Sequence, residues 1–254
     1  MVVPLDALAL RAEQAGLDAS TPPQESRIDG WLLRLSPGQA KRSRCVNAIE
    51  AGSTPLPDLL ARCRRAFAEA GLPLIVRVTP FSQPADLDDR LAALGWFAFD
   101  PADVMVRADL QGLRGGATLH AVDPARYADI VGRLRGSSTR EIQAHAVRLL
   151  QAPKPHQGFV LMDHDQRLAA CGQLVVDGDI AGIFDVFTAR ELRGRGHAER
   201  LCGALLRHAA GQGAQRAYLQ VGSDNQVAKR LYARLGFTFA YRYHYRSDDP
   251  AAAD

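Results

Sequence analysis

Long apolar runs are scarce in this 254-residue chain. None approaches the ~18 residues that a membrane-spanning helix needs. The first sixteen residues carry Asp6 and Glu13, whereas a secretory signal needs a basic start followed by an uninterrupted apolar stretch. These absences predict a cytoplasmic protein without a membrane partner.

Paired cysteines and a strong charge of one sign are missing as well. The four cysteines, at positions 45, 63, 171 and 202, include no Cys-x-x-Cys pair and show no metal-ligand spacing against the seven histidines. We therefore expect free, packed thiols and no metal site. The formal net charge of only +3 is too small to require a nucleic-acid partner.

The chain does contain a succession of short β-rich runs and capped helices. Its hydrophobic content of 47% is typical of a globular protein with a buried core. Strands joined by hairpin signals such as Asp177-Gly178 predict an α+β fold with a central mixed sheet flanked by helices. Residues 108–117 are rich in glycine and lack periodicity, so we place a domain boundary there. The predicted domains are residues 1–112 and 113–254.

An internal repeat links these two domains. LAALGWFAF at 91–99 resembles YARLGFTFA at 232–240, and in both segments a predicted helix ends on Leu-Gly-aromatic before a strand. Both copies follow a β-rich run and a short capped helix, which favours a duplication over a chance C-cap similarity.

The segment LRGRGHAERL, residues 192–201, places two glycines and two arginines before an amphipathic helix. The first turn of a helix has unpaired N–H groups and a positive dipole end, so Gly194, Gly196, Arg193 and Arg195 predict an anion site. A Walker loop is absent, and a dinucleotide fingerprint would need a third glycine where Glu199 stands.

Residues Arg193-Gly194-Arg195-Gly196-His197-Ala198 resemble the signature [QR]-x-x-G-x-[GA] of the GNAT superfamily of acyl-CoA-dependent N-acyltransferases. A second segment resembles the family's later motif N-x-x-A-x-x-L-Y-x-x-x-G-F, with Asn225, Ala228, Leu231, Tyr232, Gly236 and Phe237 in place. The resemblance covers residues 117–246 and implies a GNAT-like domain, preceded by a smaller, degenerate GNAT-like half that lacks the signature loop.

This resemblance implies a set of site residues. The pyrophosphate of acetyl-CoA would lie on residues 193–198, and its pantetheine arm would pair with Val186, Phe187 and Thr188. Tyr232 would be the acid that protonates the departing thiolate, and Asn225 would help to bind the cofactor. Two simpler interpretations stay open: Tyr232 as a core side chain, and Asn225 as a first-turn residue behind a Ser223–Gln226 capping box.

The general base is not identified by the resemblance. Many relatives carry a glutamate at a place that falls on Gly182 here, and strand alternation directs the nearby Asp185 to the opposite face. Asp179, Glu191, His145 and a water-mediated route all remain open.

The resulting expectation is an N-acetyltransferase that transfers acetyl from acetyl-CoA to a primary amine by direct attack. The expected partner is a small-molecule or peptide amine acceptor, with homodimer formation left open, and aromatic residues 241–245 are candidate lining groups. An acyl-CoA-binding sensor or scaffold with impaired catalysis is the alternative. A nucleic-acid-associated protein is disfavoured by the low net charge.

Overall fold

The computed structural model describes residues 5–36, 40–113 and 116–253. Residues 114 and 115 of the predicted linker, and the first four residues of the chain, lie outside the described residues. The helices are α1 (Leu5–Ala19), α2 (Leu56–Glu69), α3 (Leu87–Ala93), α4 (Pro124–Arg135), α5 (Thr139–Gln151), α6 (His197–Gly211) and α7 (Gln226–Arg234).

The strands are β1 (Glu25–Ile28), β2 (Trp31–Arg34), β3 (Val46–Ala48), β4 (Val76–Val78), β5 (Phe97–Arg107), β6 (His120–Val122), β7 (Gln157–Met162), β8 (Leu168–Asp177), β9 (Ile180–Thr188), β10 (Arg216–Gly222) and β11 (Thr238–Ser247). None of the helices in the described ranges has both the length and the apolar character needed to cross a bilayer.

The chain divides into two compact units, each built from two segments. The larger unit contains α1 and Val104–Ala240, and the smaller unit contains Ser20–Asp103 and the segment from Tyr241 onward. Strand β5 therefore begins in the smaller unit and ends in the larger one, and strand β11 begins in the larger unit and ends in the smaller one. The domain boundary predicted after residue 112 divides the chain into two consecutive segments, and it stays a prediction.

The larger unit has a mixed sheet with helices on both faces. Its strands follow the order β11-β5-β10-β9-β8-β7-β6, in which β9 and β10 are parallel and β6 to β9 are antiparallel neighbours. Leu201 and Leu205 of α6 pack with Leu174 and Ile183 on one face. Tyr127 of α4 and Leu149 of α5 pack with Val160 and Cys171 on the other.

The smaller unit has the strand order β1-β2-β3-β4-β11. Its core contains Trp31, Leu33 and Val76 from the strands, with Phe67 of α2 and Leu91 of α3 packed against them. The strand aromatics considered as acceptor lining pack within this unit. Tyr243 stacks on the Arg77 guanidinium, 4.0 Å from its ring centroid, and His244 Nε2 lies 2.9 Å from Asp88 Oδ1.

The internal repeat predicted from the sequence extends to whole elements. β1-β2-β3-α2-β4-α3-β5 and β7-β8-β9-α6-β10-α7-β11 follow one plan: two antiparallel pairings, then a parallel pairing across a helix. Gly95 and Gly236 both have positive φ, +82° and +80°. The N–H of Trp96 donates to Leu91 O, and the N–H of Phe237 donates to Tyr232 O, at 3.1 and 3.0 Å.

Residues just before the helices determine where they start. The α2 helix begins at Leu56 behind Pro55, two residues before Asp58. The α7 helix begins at Gln226 rather than Ser223, because the Asn225 side chain accepts the Ala228 N–H at 3.0 Å and so forms the N-cap. The α5 helix opens with a capping box between Ser138 and Glu141.

All four cysteines are buried and free, as predicted. Burial raises the pKa of the Cys63 and Cys171 thiols to about 11. Burial also raises the pKa of Cys202 to about 12. Because the thiolate is the reactive form, these groups are inert at neutral pH.

Candidate functional site

The signature loop leads directly into the first turn of α6. Gly194 and Gly196 have φ values of +76° and +75°, a conformation that L side chains rarely adopt. Gly196 is the N-cap of α6, and no side chain caps the helix there. A Cβ atom at either glycine would meet nothing within 4 Å. The glycines are therefore required by the backbone conformation, which leaves the first-turn N–H groups open to an anion.

The arginines of the loop have different surroundings. Both Arg193 and Arg195 are exposed. Arg193 Nε donates to the carbonyl oxygen of Thr188 at 3.3 Å, and its guanidinium lies 5.5 Å from the Phe187 ring centroid. Arg193 thus connects the loop to the end of β9, while Arg195 adds positive charge beside the helix start.

His197, the first residue of α6, has a side chain that is 7% exposed. Burial lowers the pKa of its imidazole, and the charges of Arg200 and Arg195 add to this effect. Its Nδ1 atom is buried and has no hydrogen-bond partner among the described residues. The ring is therefore packed against the protein at the helix start, and the backbone N–H groups of His197 and Ala198 lie in the first turn of α6.

Beside this loop, β9 and β10 separate. Their parallel pairing runs from Ile180 with Arg216 to Ile183 with Leu219 and stops there within the described residues. Strand β9 continues to Thr188, so Val186, Phe187 and Thr188 have backbone groups on an edge that β10 leaves unpaired. Such an edge can pair with another extended polar chain, which is what the pantetheine interpretation requires.

The opened end of β9 contains a β-bulge. Phe187 pairs with Cys171 and Phe184 pairs with Gln173, so Asp185 and Val186 together lie opposite Gly172 alone. Asp185 has a φ of +49°. The bulge reverses the alternation of side chains, and the expectation that Asp185 faces away from Gly182 is wrong. Gly182, Phe184 and Asp185 all face the side of the sheet that α4 and α5 cover.

Asp185 contacts one side chain from each of these helices. Its Oδ1 atom lies 2.9 Å from Arg135 Nη2, and its Oδ2 atom lies 3.3 Å from His145 Nε2. Burial raises the pKa of the Asp185 carboxyl, but the contact with His145 and the charges of Arg135 and Arg148 outweigh burial and hold the pKa well below its usual range. Asp185 is consequently a carboxylate at neutral pH.

Tyr232 lies on α7 and is 9% exposed. Burial raises its phenol pKa well above the usual value, and nearby Cys202 adds to the shift. The ring makes an edge contact with Phe237, with centroids 6.1 Å apart. No described residue makes a hydrogen bond with its hydroxyl group. Tyr232 is therefore a protonated donor whose hydroxyl group is available to a ligand.

The exposed residue Asn225 has only part of its side chain free for a ligand. Its Oδ1 atom accepts the helix N–H of Ala228, while the proposed Ser223–Gln226 box is replaced by a bond from Gln226 Nε2 to Ser223 O. The amide Nδ2 is the part of Asn225 that can donate to a cofactor.

A cavity of about 640 Å³ opens next to the signature loop. Its polar lining comes from Glu199, Arg200 and Arg207 of α6, with Gly196, Gly203 and Leu235 nearby. Glu199 is paired with Arg234 at 2.8 Å. Arg200 and Arg207 were not predicted as lining residues, although their spacing of seven residues puts them on one face of the predicted helix.

Ligand atoms of Asp163, His164 and Asp165 lie within 4.8 Å of one another in the turn after β7. The Asp163 carboxylate accepts backbone N–H groups of Asp165 and Arg167 and pairs with the Arg167 guanidinium. These bonds account for the turn without a metal ion.

Comparisons with known proteins agree with this geometry. The family model described as acetyltransferase (GNAT) family matches residues 127–237. A Bacillus subtilis protein named uncharacterized N-acetyltransferase YobR is 26% identical over 230 residues, covering 87% of this chain and 91% of its own length. The N-alpha-acetyltransferase 30 of Schizosaccharomyces pombe is 34% identical over 102 residues, covering 37% of this chain and 68% of its own length.

Solved structures show the same fold. A GCN5-related N-acetyltransferase from Kribbella flavida has a TM-score of 0.66 and 18% identity, covering 97% of this chain and 95% of that chain. A tandem GNAT protein from the clavulanic acid biosynthesis pathway has a TM-score of 0.60 and 17% identity, covering 95% and 91%. The predicted GNAT-like α+β architecture with two halves is confirmed, and the chain belongs to the GNAT family of acetyltransferases.

Proposed function

We propose that the protein transfers the acetyl group of acetyl-CoA to a primary amine of a small-molecule or peptide acceptor by direct attack. The observation that carries this proposal is the meeting of three features in the larger unit: an uncapped helix start with two positive-φ glycines, an unpaired strand end, and a protonated tyrosine with an available hydroxyl.

Each feature meets one chemical requirement. The first-turn N–H groups of α6, together with Arg195, bind the pyrophosphate of acetyl-CoA. The free edge at Val186, Phe187 and Thr188 pairs with the pantetheine arm and aligns the thioester. The amine nitrogen then attacks the carbonyl carbon, and the C–S bond breaks. Tyr232 donates a proton to the thiolate as it leaves. The Asn225 amide adds a donor for the cofactor.

The alternative function, an acyl-CoA-binding sensor with impaired catalysis, is favoured by Gly182. A Cβ atom there would lie 2.6 Å from both Phe184 Cε2 and the Tyr218 ring. The packing thus excludes a side chain at the place where many GNAT relatives carry a glutamate. Asp185 supplies a carboxylate three residues later on the same face, which favours the enzyme over the sensor.

The test combines binding with turnover. Acetyl-CoA, CoA and a longer acyl-CoA are titrated calorimetrically into the protein. Acetyl-CoA is then incubated with the protein and a panel of amines: a polyamine, an amino acid amide, a peptide with a free α-amino group and a lysine peptide. We expect submillimolar acetyl-CoA binding and amine-dependent release of free thiol. Binding without thiol release would support the sensor, and absence of binding would refute both functions.

A further inference from the structure

His145, Asp185 and Arg135 form a polar cluster that the steps above do not use. The three residues come from α5, β9 and the last turn of α4, and Asp185 contacts both of the others. The side chain of His145 is 14% exposed and that of Asp185 is 20% exposed. The cluster is therefore shielded from bulk water without being closed.

The backbone is arranged to hold Asp185 in this cluster. Tyr127 Oη donates to the carbonyl oxygen of Asp185 at 2.8 Å. The residue has a left-handed φ of +49°, which aspartate tolerates better than most residues but which still costs free energy. Without the bulge, the Asp185 side chain would point toward α6 instead of His145. A strained residue held by a specific hydrogen bond is the pattern found at functional positions.

The two imidazole nitrogens of His145 have different surroundings. Nε2 is buried and has no hydrogen-bond partner among the described residues, but it lies 3.3 Å from the Asp185 Oδ2 atom. No described residue makes a hydrogen bond with Nδ1. A carboxylate beside one ring nitrogen favours the tautomer with the proton on that nitrogen, which leaves the other as a proton acceptor.

The cluster also lies where an acceptor amine would enter. Asp185 directly precedes Val186, at which the unpaired stretch of β9 presents its edge to the thioester. The cluster faces α4 and α5, whereas the signature helix α6 covers the opposite face of the sheet. An amine that approaches from the α4–α5 face would reach the carbonyl carbon from the side opposite α6.

We propose that His145, oriented by Asp185, accepts the proton that the acceptor ammonium must lose before it attacks the thioester. Arg135 and Asp185 are positioning residues, because they act through the imidazole. This inference rests on the proposed acetyl transfer. The nitrogen forms the new C–N bond and loses two protons in total. One of these protons passes to solvent through His145. The sulfur leaves with the C–S electron pair and receives the other proton through Tyr232.

The other candidate bases are arranged less suitably. The Asp179 carboxylate pairs with Arg216 and Arg11 at the turn that begins β9, at the end remote from the bulge. Glu191 is exposed in the turn before the signature loop. Gly182 has no side chain and no room for one.

The activity test compares His145→Gln and Asp185→Asn with two controls, His164→Gln and Glu191→Gln, at exposed positions. Two acceptors are compared. The first is the panel amine that the wild type acetylates fastest, which is an ammonium ion at neutral pH. The second is hydroxylamine, which is largely unprotonated at that pH. We expect His145→Gln to lower kcat/KM for the ammonium acceptor by about 100-fold or more. Hydroxylamine turnover and acetyl-CoA affinity should change less than about threefold in that variant.

The pH profile gives a second readout. Asp185 lies 3.3 Å from the imidazole and the Tyr127 ring packs edge-on against it, while the charges of Arg135 and Arg148 act on Asp185, and Cys171 lies beside Tyr127. The pH dependence of kcat/KM for the ammonium acceptor should change in His145→Gln and should stay as in the wild type in His164→Gln. A His145→Gln enzyme that keeps the wild-type profile and rate would overturn the proposal while leaving acetyl transfer intact.

The tautomer measurement does not depend on any acceptor. In ¹⁵N NMR spectra of the wild type, neutral His145 should carry its proton on Nε2, and Asp185→Asn should reduce this preference. A proton on Nδ1 of neutral His145 would overturn the proposal. Loss of all thiol release by the wild type would instead refute the proposed function, so the two failures are distinguishable.

Discussion

Gly196 offers a direct test of the signature loop because α6 supplies its own control. Gly196 precedes the helix with a φ of +75°, and Gly213 follows it with a φ of +95°. A Cβ atom at either position would meet nothing within 4 Å. Replacing either glycine with glutamate therefore creates no clash at Cβ and puts an L side chain into the left-handed region, at about 1–2 kcal/mol.

The two substitutions differ in charge relative to the helix. A carboxylate near the amino terminus of α6 is stabilised by about 0.3–1 kcal/mol, and one near the carboxyl terminus is destabilised by a similar amount. The free energy of unfolding should fall by about 0–2 kcal/mol in Gly196→Glu and by about 1–3 kcal/mol in Gly213→Glu. The amino-terminal variant is thus expected to be the more stable of the two.

Acetyl-CoA binding should show the opposite order. A carboxylate ~4 Å from a phosphate charge costs about 1 kcal/mol in water and about 4 kcal/mol near a protein surface. The affinity of Gly196→Glu should therefore fall by about 5- to 1000-fold, while Gly213→Glu keeps the wild-type affinity. Calorimetric titration at low salt and thermal unfolding measure both quantities. Equal affinity in the two variants would refute the placement of the pyrophosphate on this loop.

Three further predictions concern single side chains. Tyr232→Phe should lower kcat by about 100-fold with unchanged acetyl-CoA affinity in calorimetry, and an equal loss of both would make the hydroxyl structural. Asn225→Asp keeps the helix cap but removes the Nδ2 donor, so thermal unfolding should be unchanged while acetyl-CoA binding weakens; unchanged binding would limit Asn225 to capping. The backbone N–H of Arg167, followed by other hydrogen bonds, lowers the pKa of Asp163 from 3.8 to about 2. Its contribution to stability is present above about pH 4 and is lost toward about pH 2, so the stability difference between wild type and Asp163→Asn should shrink across that window in denaturant titrations.

Local chemistry explains which parts of the site could be predicted. The positive-φ glycines, the arginines and the amphipathic helix after them specify a loop conformation and a charge within about ten residues, and the structure has that arrangement at 193–198. The Leu-Gly-aromatic repeat likewise encodes a helix end, since the same hydrogen bonds form at Gly95 and Gly236. Both features depend on backbone conformations that neighbouring residues dictate.

The orientation of Asp185 could not be predicted from alternation. A bulge of one residue puts Asp185 on the face that α4 and α5 cover, and the bulge is held by a contact from Tyr127, 58 residues earlier in the chain. The division of β5 and β11 between the two units is equally non-local, because nothing within either strand specifies its neighbour. The bulge and the strand neighbours, which tertiary pairing decides, were not predicted, whereas the signature loop and the Leu-Gly-aromatic turn, which local backbone conformation decides, were predicted.

Differences between the two copies of the fold plan explain why we expect only the second copy to bind CoA. Strand β3 has only three residues, Val46–Ala48, whereas β9 extends five residues beyond its last pairing with β10. The helix that follows β3, α2, has Pro55 as its N-cap, Pro57 in its first turn, and Asp58 beside them. Proline has no N–H to donate, and an acidic first turn repels an anion. The corresponding start of α6 has two positive-φ glycines and two arginines. The start of α6 in the second copy is therefore suited to the anion that we propose it binds, whereas the start of α2 in the first copy would repel an anion.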